Sequence, residues 1–197
     1  MKKIKSDAFT VLWIIIIIYA KGTLFIPLFS AILLHELGHV LASLLMGVRI
    51  KRLHLSLLGA RMELSGEIPY AKELIIALAG PAIGLLGYAL ANRSDSYSNN
   101  IRLFALISLC LGIFNLLPIR SLDGGRIAEC ILCSLLPLHI AQAIMQITSF
   151  MTLFAFWILS VYMMIKYAGG LSAFVFCLIF FSKCFIFDAK KRDLKSF

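Results

Sequence analysis

Charge is scarce in this chain. Asp, Glu, Lys and Arg make up 15% of its 197 residues, against about 25% in ordinary globular domains, while 61% of residues are hydrophobic. So little polar surface cannot cover a water-facing globule, which excludes a soluble enzyme, a secreted module and a disordered chain. Acidic residues are scarcer than basic ones, ten against nineteen, for a net charge of +9. A basic excess can mark a nucleic-acid binder. Here, however, Lys and Arg fall between apolar blocks, the pattern of loops at a membrane surface, so the expected partner is a lipid bilayer and not nucleic acid. Cys130 and Cys133 form a C-x-x-C with no second pair to complete a zinc or redox motif. All five cysteines lie in apolar stretches and read as small buried residues.

What is present is a series of uncharged runs. A membrane-crossing helix needs about 20 mostly apolar residues. The sequence predicts an all-α polytopic membrane protein, a single domain over 1–197 with about six spans, near 8–22, 24–47, 72–92, 102–119, 143–165 and 169–187. The first run also reads as a signal peptide cleaved after Ala20; an uncleaved helix is the favoured reading. Around Pro137 and His139 a short interfacial helix is expected, with the fifth span starting near Ala143. Segment 48–70 alternates partly on both sides of Gly59, which reads as a small β-hairpin between the second and third spans. Six spans place both termini in the cytoplasm of a multi-pass cell-membrane protein. Fourteen Lys and Arg then lie on inner segments and four on outer ones, as the positive-inside rule requires.

The second span contains His35-Glu36-Leu37-Gly38-His39. At about 100° per residue the two histidines share one side of a helix, one turn apart, and two imidazoles so placed can grip one Zn²⁺. Glu36 follows the first of them and can reach the attacking water as general base. Ionisable residues inside a membrane are costly and mark working sites by default. Catalytic zinc takes three protein ligands, so one is missing. His54 and His139 read as ordinary histidines. The carboxylate candidates are Asp123, Glu129, Glu63, Glu67 and Glu73. Asp123 stands out because it follows an uncharged span and the helix breaker Pro118, on what reads as unwound backbone beside Gly124 and Gly125.

With these residues in view, the chain resembles the site-2 protease family of intramembrane zinc metalloproteases. In that family H-E-x-x-H lies on one transmembrane helix, and a downstream N-x-x-P…L-D-G segment supplies the third ligand. His35, Glu36, His39, Asn115, Pro118, Leu122, Asp123 and Gly124 match the pattern, and Ala79-Gly80-Pro81 is similar to the A-G-P of an intervening helix. The resemblance implies Zn²⁺ held by His35, His39 and Asp123, Glu36 as the catalytic base, and Asn115 as a donor to the developing oxyanion. It implies a membrane protein or membrane-associated protein as substrate and a regulatory membrane protein as a further partner. Gly84 stands where the family often has Asn, and Leu57-Leu58-Gly59-Ala60 replaces its P-F-G-G. Neither a PDZ nor a CBS domain is read in these residues. The six-helix layout is most similar to the sporulation branch, whose members activate a sigma factor.

Two other activities compete with this reading. A prenyl-protein-processing zinc protease also uses H-E-x-x-H, but takes a downstream glutamate where this chain has its L-D-G-G. A metal transporter would spread its ligands along a pathway instead of gathering them on one helix.

Overall fold

The computed structural model describes residues 24–56, 59–64, 68–93 and 98–167. These form helices α1 (Phe25–Leu45), α2 (Tyr70–Asn92), α3 (Asn99–Asn115), α4 (Asp123–Leu135) and α5 (Leu138–Tyr167), with strands β1 (Ile50–Ser56) and β2 (Gly59–Leu64) between α1 and α2. The spans expected at 8–22 and 169–187 lie outside the described residues. Two compact units divide the chain, Met1–Leu116 and Leu117–Phe197.

In the first unit α1, α2 and α3 pack against one another. The buried side of α1 is Pro27, Ala31, His35, Gly38, His39, Ala42 and Ser43, a stripe at three- and four-residue spacing. The facing stripe of α2 is also dominated by small residues: Ile76, Ala77, Gly80, Pro81, Gly84 and Gly87. Lipid tails are as apolar as leucine, so membrane helices associate by close backbone approach, which small residues permit. Gly38 shows how close: a Cβ there would lie 2.6 Å from the Ala79 carbonyl oxygen. The outward face of α1 is the opposite, with Ile26 61%, Leu41 51% and Leu45 82% exposed. Bare aliphatic surface of that kind suits lipid. Three helices among the described residues are long and apolar enough to cross a membrane, at Phe25–Leu45, Tyr70–Asn92 and Leu138–Met163. The chain is a membrane protein.

Helix ends follow local chemistry. Past α1, Gly47 takes φ +68°, a left-handed conformation that favours glycine. Its N–H donates to the Leu44 carbonyl at 3.0 Å, and the Val48 N–H donates to the Ser43 carbonyl at 2.9 Å, which is a Schellman closure. Lys72 adds an ammonium to the Met46 carbonyl at 3.0 Å, a cation at a helix C-terminus. The strands pair antiparallel, with Leu53 opposite Met62, His54 opposite Arg61 and a register shift between Ile50 and Arg52.

The observed helices correct two sequence expectations. The run predicted at 102–119 is helical over Asn99–Asn115, because proline disfavours α backbone at the residue before it and Pro118 therefore stops the helix early. At 17 residues, or about 25 Å, α3 is a short apolar helix. The helix expected from near Ala143 begins at Leu138, so His139 sits in the first turn of α5 and not in a separate short helix. The break is confined to Leu136 and Pro137, since proline ends the preceding helix but its carbonyl still opens the next one, accepting from Ile140 at 3.0 Å.

In the second unit α4 packs on α5. Segment 117–122 precedes α4 and is tied to the Ser149 side chain and the Gln142 main chain of α5. The Arg120 N–H donates to Ser149 Oγ at 3.1 Å, Ser149 Oγ donates to the Pro118 carbonyl at 3.4 Å, and Arg120 Nη2 donates to the Gln142 carbonyl at 3.4 Å.

Candidate metal centre

Helical spacing brings His35 and His39 together in the first unit. Both are buried, at 3% and 4% exposure, and their Nε2 atoms lie 3.3 Å apart with the rings at 81° to each other. Metal–imidazole bonds run about 2.0–2.1 Å, and the edge of a tetrahedron is about 1.6 times its centre-to-corner distance, so two ligands of one tetrahedral ion sit about 3.3 Å apart. The observed separation fits that donor set.

The protonation pattern of His39 follows from its neighbour. Nδ1 lies 2.8 Å from the Ile76 carbonyl oxygen, and a carbonyl can only accept, so Nδ1 carries the hydrogen. In the neutral ring Nε2 is then the lone-pair nitrogen, on the side facing His35. Metal-binding histidines commonly have this arrangement, with the second nitrogen donating to a carbonyl that fixes tautomer and orientation. The next turn of α1 is tied as well: Ser43 Oγ donates to the His39 carbonyl at 2.8 Å.

Glu36 is half-buried on the same helix. Asn115 ends α3, where its Nδ2 donates to the Leu111 carbonyl at 3.0 Å. One of its two amide hydrogens is thereby engaged.

Asp123 belongs to the second unit. It is the first residue of α4, preceded by Leu122 in extended conformation. The sequence placed it on unwound backbone. That backbone ends one residue earlier, because a carboxylate in the first helical turn is favoured by the exposed N–H groups and the helix dipole. Gly124 and Gly125 therefore lie inside a helix, and Gly125 serves close approach: a Cβ there would collide with the Ile119 carbonyl and lie 2.8 Å from the Arg120 Cα.

The remaining candidates scatter. His139 is exposed on α5, His54 lies in β1, Glu63 in β2, Glu73 in the first turn of α2 and Glu129 on α4. Glu67 lies outside the described residues. Cys130 is buried and Cys133 half-buried, both free thiols. Sequence reasoning missed the Ile76 carbonyl, Ser149 and Gln142. Ile76 and Gln142 act through main-chain carbonyls, which leave no mark in a sequence, and a serine in an apolar helix leaves little.

Residues 88–159 match the profile of Peptidase family M50, a stretch that includes Asn115 and Asp123 but not the histidine pair. A zinc metalloprotease of Methanocaldococcus jannaschii is 37% identical over 118 residues, 56% of this chain and 34% of that protein. Stage IV sporulation protein FB of Bacillus subtilis is 32% identical over 138 residues, 66% of this chain and 48% of that protein. The chain thus spans about a third to a half of the curated relatives it matches. Among solved structures, a site-2 protease from Methanocaldococcus jannaschii superposes with a TM-score of 0.65 at 25% identity, covering 92% of this chain and 88% of that one.

Proposed function

We propose that this chain, whose residues 88–159 match Peptidase family M50 and whose fold is similar to that of a site-2 protease, is an intramembrane zinc endopeptidase that cleaves a membrane-embedded or membrane-associated protein near the cytoplasmic side of the bilayer. The observation that carries this reading is the His35–His39 pair. Two buried imidazoles on an apolar helix present Nε2 atoms at the ligand–ligand distance of a tetrahedral ion, and one is held in the ligating tautomer by a backbone carbonyl. In this reading His35, His39 and Asp123 hold the metal, and the relatives named zinc metalloproteases support Zn²⁺ as its identity. When bound, zinc supplies Lewis acidity that brings the pKa of water towards about 7 and polarises the scissile carbonyl.

The chain's own residues do the rest. Glu36 accepts a proton from water at a carboxylate oxygen as the water oxygen bonds to the carbonyl carbon. It returns that proton to the amine nitrogen as the C–N bond breaks, which regenerates the base. Asn115 donates its second amide hydrogen to the carbonyl oxygen as negative charge grows there. His39 lies six residues from the end of α1 at Leu45, about 9 Å along the axis, so water enters from the cytoplasmic side. The decisive experiment incubates purified protein of known zinc content with a reporter carrying a transmembrane segment. Cleavage that is lost on chelation and restored by zinc is expected, and metal-independent cleavage would sink the proposal.

Six spans with cytoplasmic termini place the basic loops on the inner side. Reporter fusions after Lys195 and within 48–70 are therefore expected to read cytoplasmic, and a fusion at Ser96 exterior. An exterior signal from the Lys195 fusion would break this topology.

Substrate capture draws on the strands. A transmembrane helix engages its own carbonyls in hydrogen bonds and must unwind before cleavage. A two-stranded ladder has outer edges to which an unwound segment adds as a further strand. Proline scanned from Leu53 to Leu57 should impair cleavage in a two-residue rhythm, because only alternate N–H groups point outward. Uniform tolerance at normal zinc content would exclude edge pairing.

The biological role proposed is regulated proteolysis, such as activation of a membrane-tethered transcription factor under control of a regulatory membrane protein. Its support is the similarity to the sporulation protein. Comparing membrane proteomes of cells with active and Glu36→Gln enzyme would identify the substrate, and a cleaved substrate with no regulatory domain would exclude the role.

A further inference from the structure

Gly80 lies on the buried stripe of α2, where alanine would be the better helix former. Its lack of a side chain therefore calls for a spatial reason. A Cβ at Gly80 would overlap the His39 ring, with Nε2, Cε1 and Cδ2 all within its reach and Cδ2 the farthest at 2.8 Å. The three distances differ so little that the overlap falls on the ring face. His39 is thus laid flat on the Gly80 backbone while its Nδ1–H is held by the Ile76 carbonyl one turn earlier in α2. Gly38 makes the reciprocal contact, since a Cβ there would lie 3.0 Å from the Gly80 Cα. The helices interlock at the imidazole itself.

We propose that Gly80 is a positioning residue: with the Ile76 carbonyl it forms a seat that holds His39 in one rotamer and one tautomer, Nε2 towards the metal. This rests on the metal site proposed above. The other glycines of α2 provide the contrast. At Gly84 a Cβ would lie 3.7 Å from the Ser108 carbonyl oxygen and 3.8 Å from His35 Nδ1, ordinary van der Waals contacts that displace neither. At Gly87 it would meet Leu34 Cδ2 at 2.6 Å, a packing clash at the end of a flexible side chain, two turns of α2 beyond Gly80.

The test titrates Co²⁺ into full-length protein in detergent, apo and purified, as wild type and as Gly80→Ala, Gly84→Ala and Gly87→Ala, reading the visible ligand-field bands and the dissociation constant, with thermal melting alongside. Outer-shell changes at metal-bound histidines typically cost 10–100-fold in affinity. Gly80→Ala is expected to weaken Co²⁺ by about that factor and to shift its bands. Gly84→Ala should match wild type, and Gly87→Ala should alter melting while keeping wild-type affinity and bands. Wild-type affinity and bands in Gly80→Ala would overturn the seat and leave the metal site standing, whereas a wild type that binds no Co²⁺ would overturn both. Should Gly80→Ala fail to fold, ¹⁵N shifts of His39 in the apo wild type decide. Protonation at Nδ1 is expected, and protonation at Nε2 would overturn the seat.

Discussion

Glu36→Gln should yield a protein that holds about one zinc per chain and cleaves nothing measurable. The substitution keeps the size of the side chain and one acceptor oxygen, but it replaces the other oxygen with a donor NH2 and removes the capacity to accept a proton. It leaves both imidazoles of α1 where the structure places them, Nε2 to Nε2 at 3.3 Å. General-base catalysis contributes about 10²–10⁴-fold, so turnover should fall by at least that factor, about 3–5 kcal/mol of barrier. A chelator should lower the melting temperature of the variant as it does that of wild type, because metal bound to the native state stabilises it by mass action. Elemental analysis of the folded, detergent-purified variant gives the zinc content. Activity within tenfold of wild type would remove Glu36 from the mechanism, and loss of zinc with activity would make it a ligand.

Asp123→Ala should fail differently, losing the metal first. If Asp123 is the third ligand, its removal leaves two imidazoles, and zinc becomes substoichiometric after purification. Changes to groups that merely orient ligands cost about 10–100-fold in affinity, so loss of a ligand should exceed 100-fold, or about 2.7 kcal/mol. Chelation should then leave the variant's melting temperature unchanged. His35→Ala and His39→Ala should behave in the same way. Full zinc and activity in Asp123→Ala would move the third ligand to another carboxylate, with Glu129 and Glu73 the first to examine. The pair of outcomes separates base from ligand: Glu36→Gln is inactive and metallated, Asp123→Ala inactive and metal-poor.

Much of the candidate site was legible because it is local. His35, Glu36 and His39 lie within five residues, and helix period alone puts the two histidines on one side of α1. The polarity pattern that marked α1 and α2 is also local, and it located their ends closely, at Gly47 through its left-handed backbone and at the polar stretch after Asn92. The two boundary errors have different causes. Near Pro118 hydropathy continues across a backbone break, so apolar character carried the predicted α3 too far, whereas Pro137 and His139 read as a separate interfacial piece and started the predicted α5 too late. Asp123 was found by its neighbours in sequence, yet its place as the first residue of α4 depended on where the helix begins.

The sequence by itself determined that this chain lives in a membrane and carries a histidine pair and a carboxylate suited to a metal. A shortage of charge and a four-residue spacing are properties of composition and helix period, independent of how helices meet. Only the tertiary structure decided what surrounds those side chains. The tautomer of His39 is set by the carbonyl of Ile76, 37 residues away, and the room for its ring by the missing side chain of Gly80. The backbone before Asp123 is held by Ser149, more than two dozen residues further on. Every residue carries a carbonyl and every glycine lacks a Cβ, so neither distinguishes one position from another until packing brings a particular pair within hydrogen-bond or van der Waals reach.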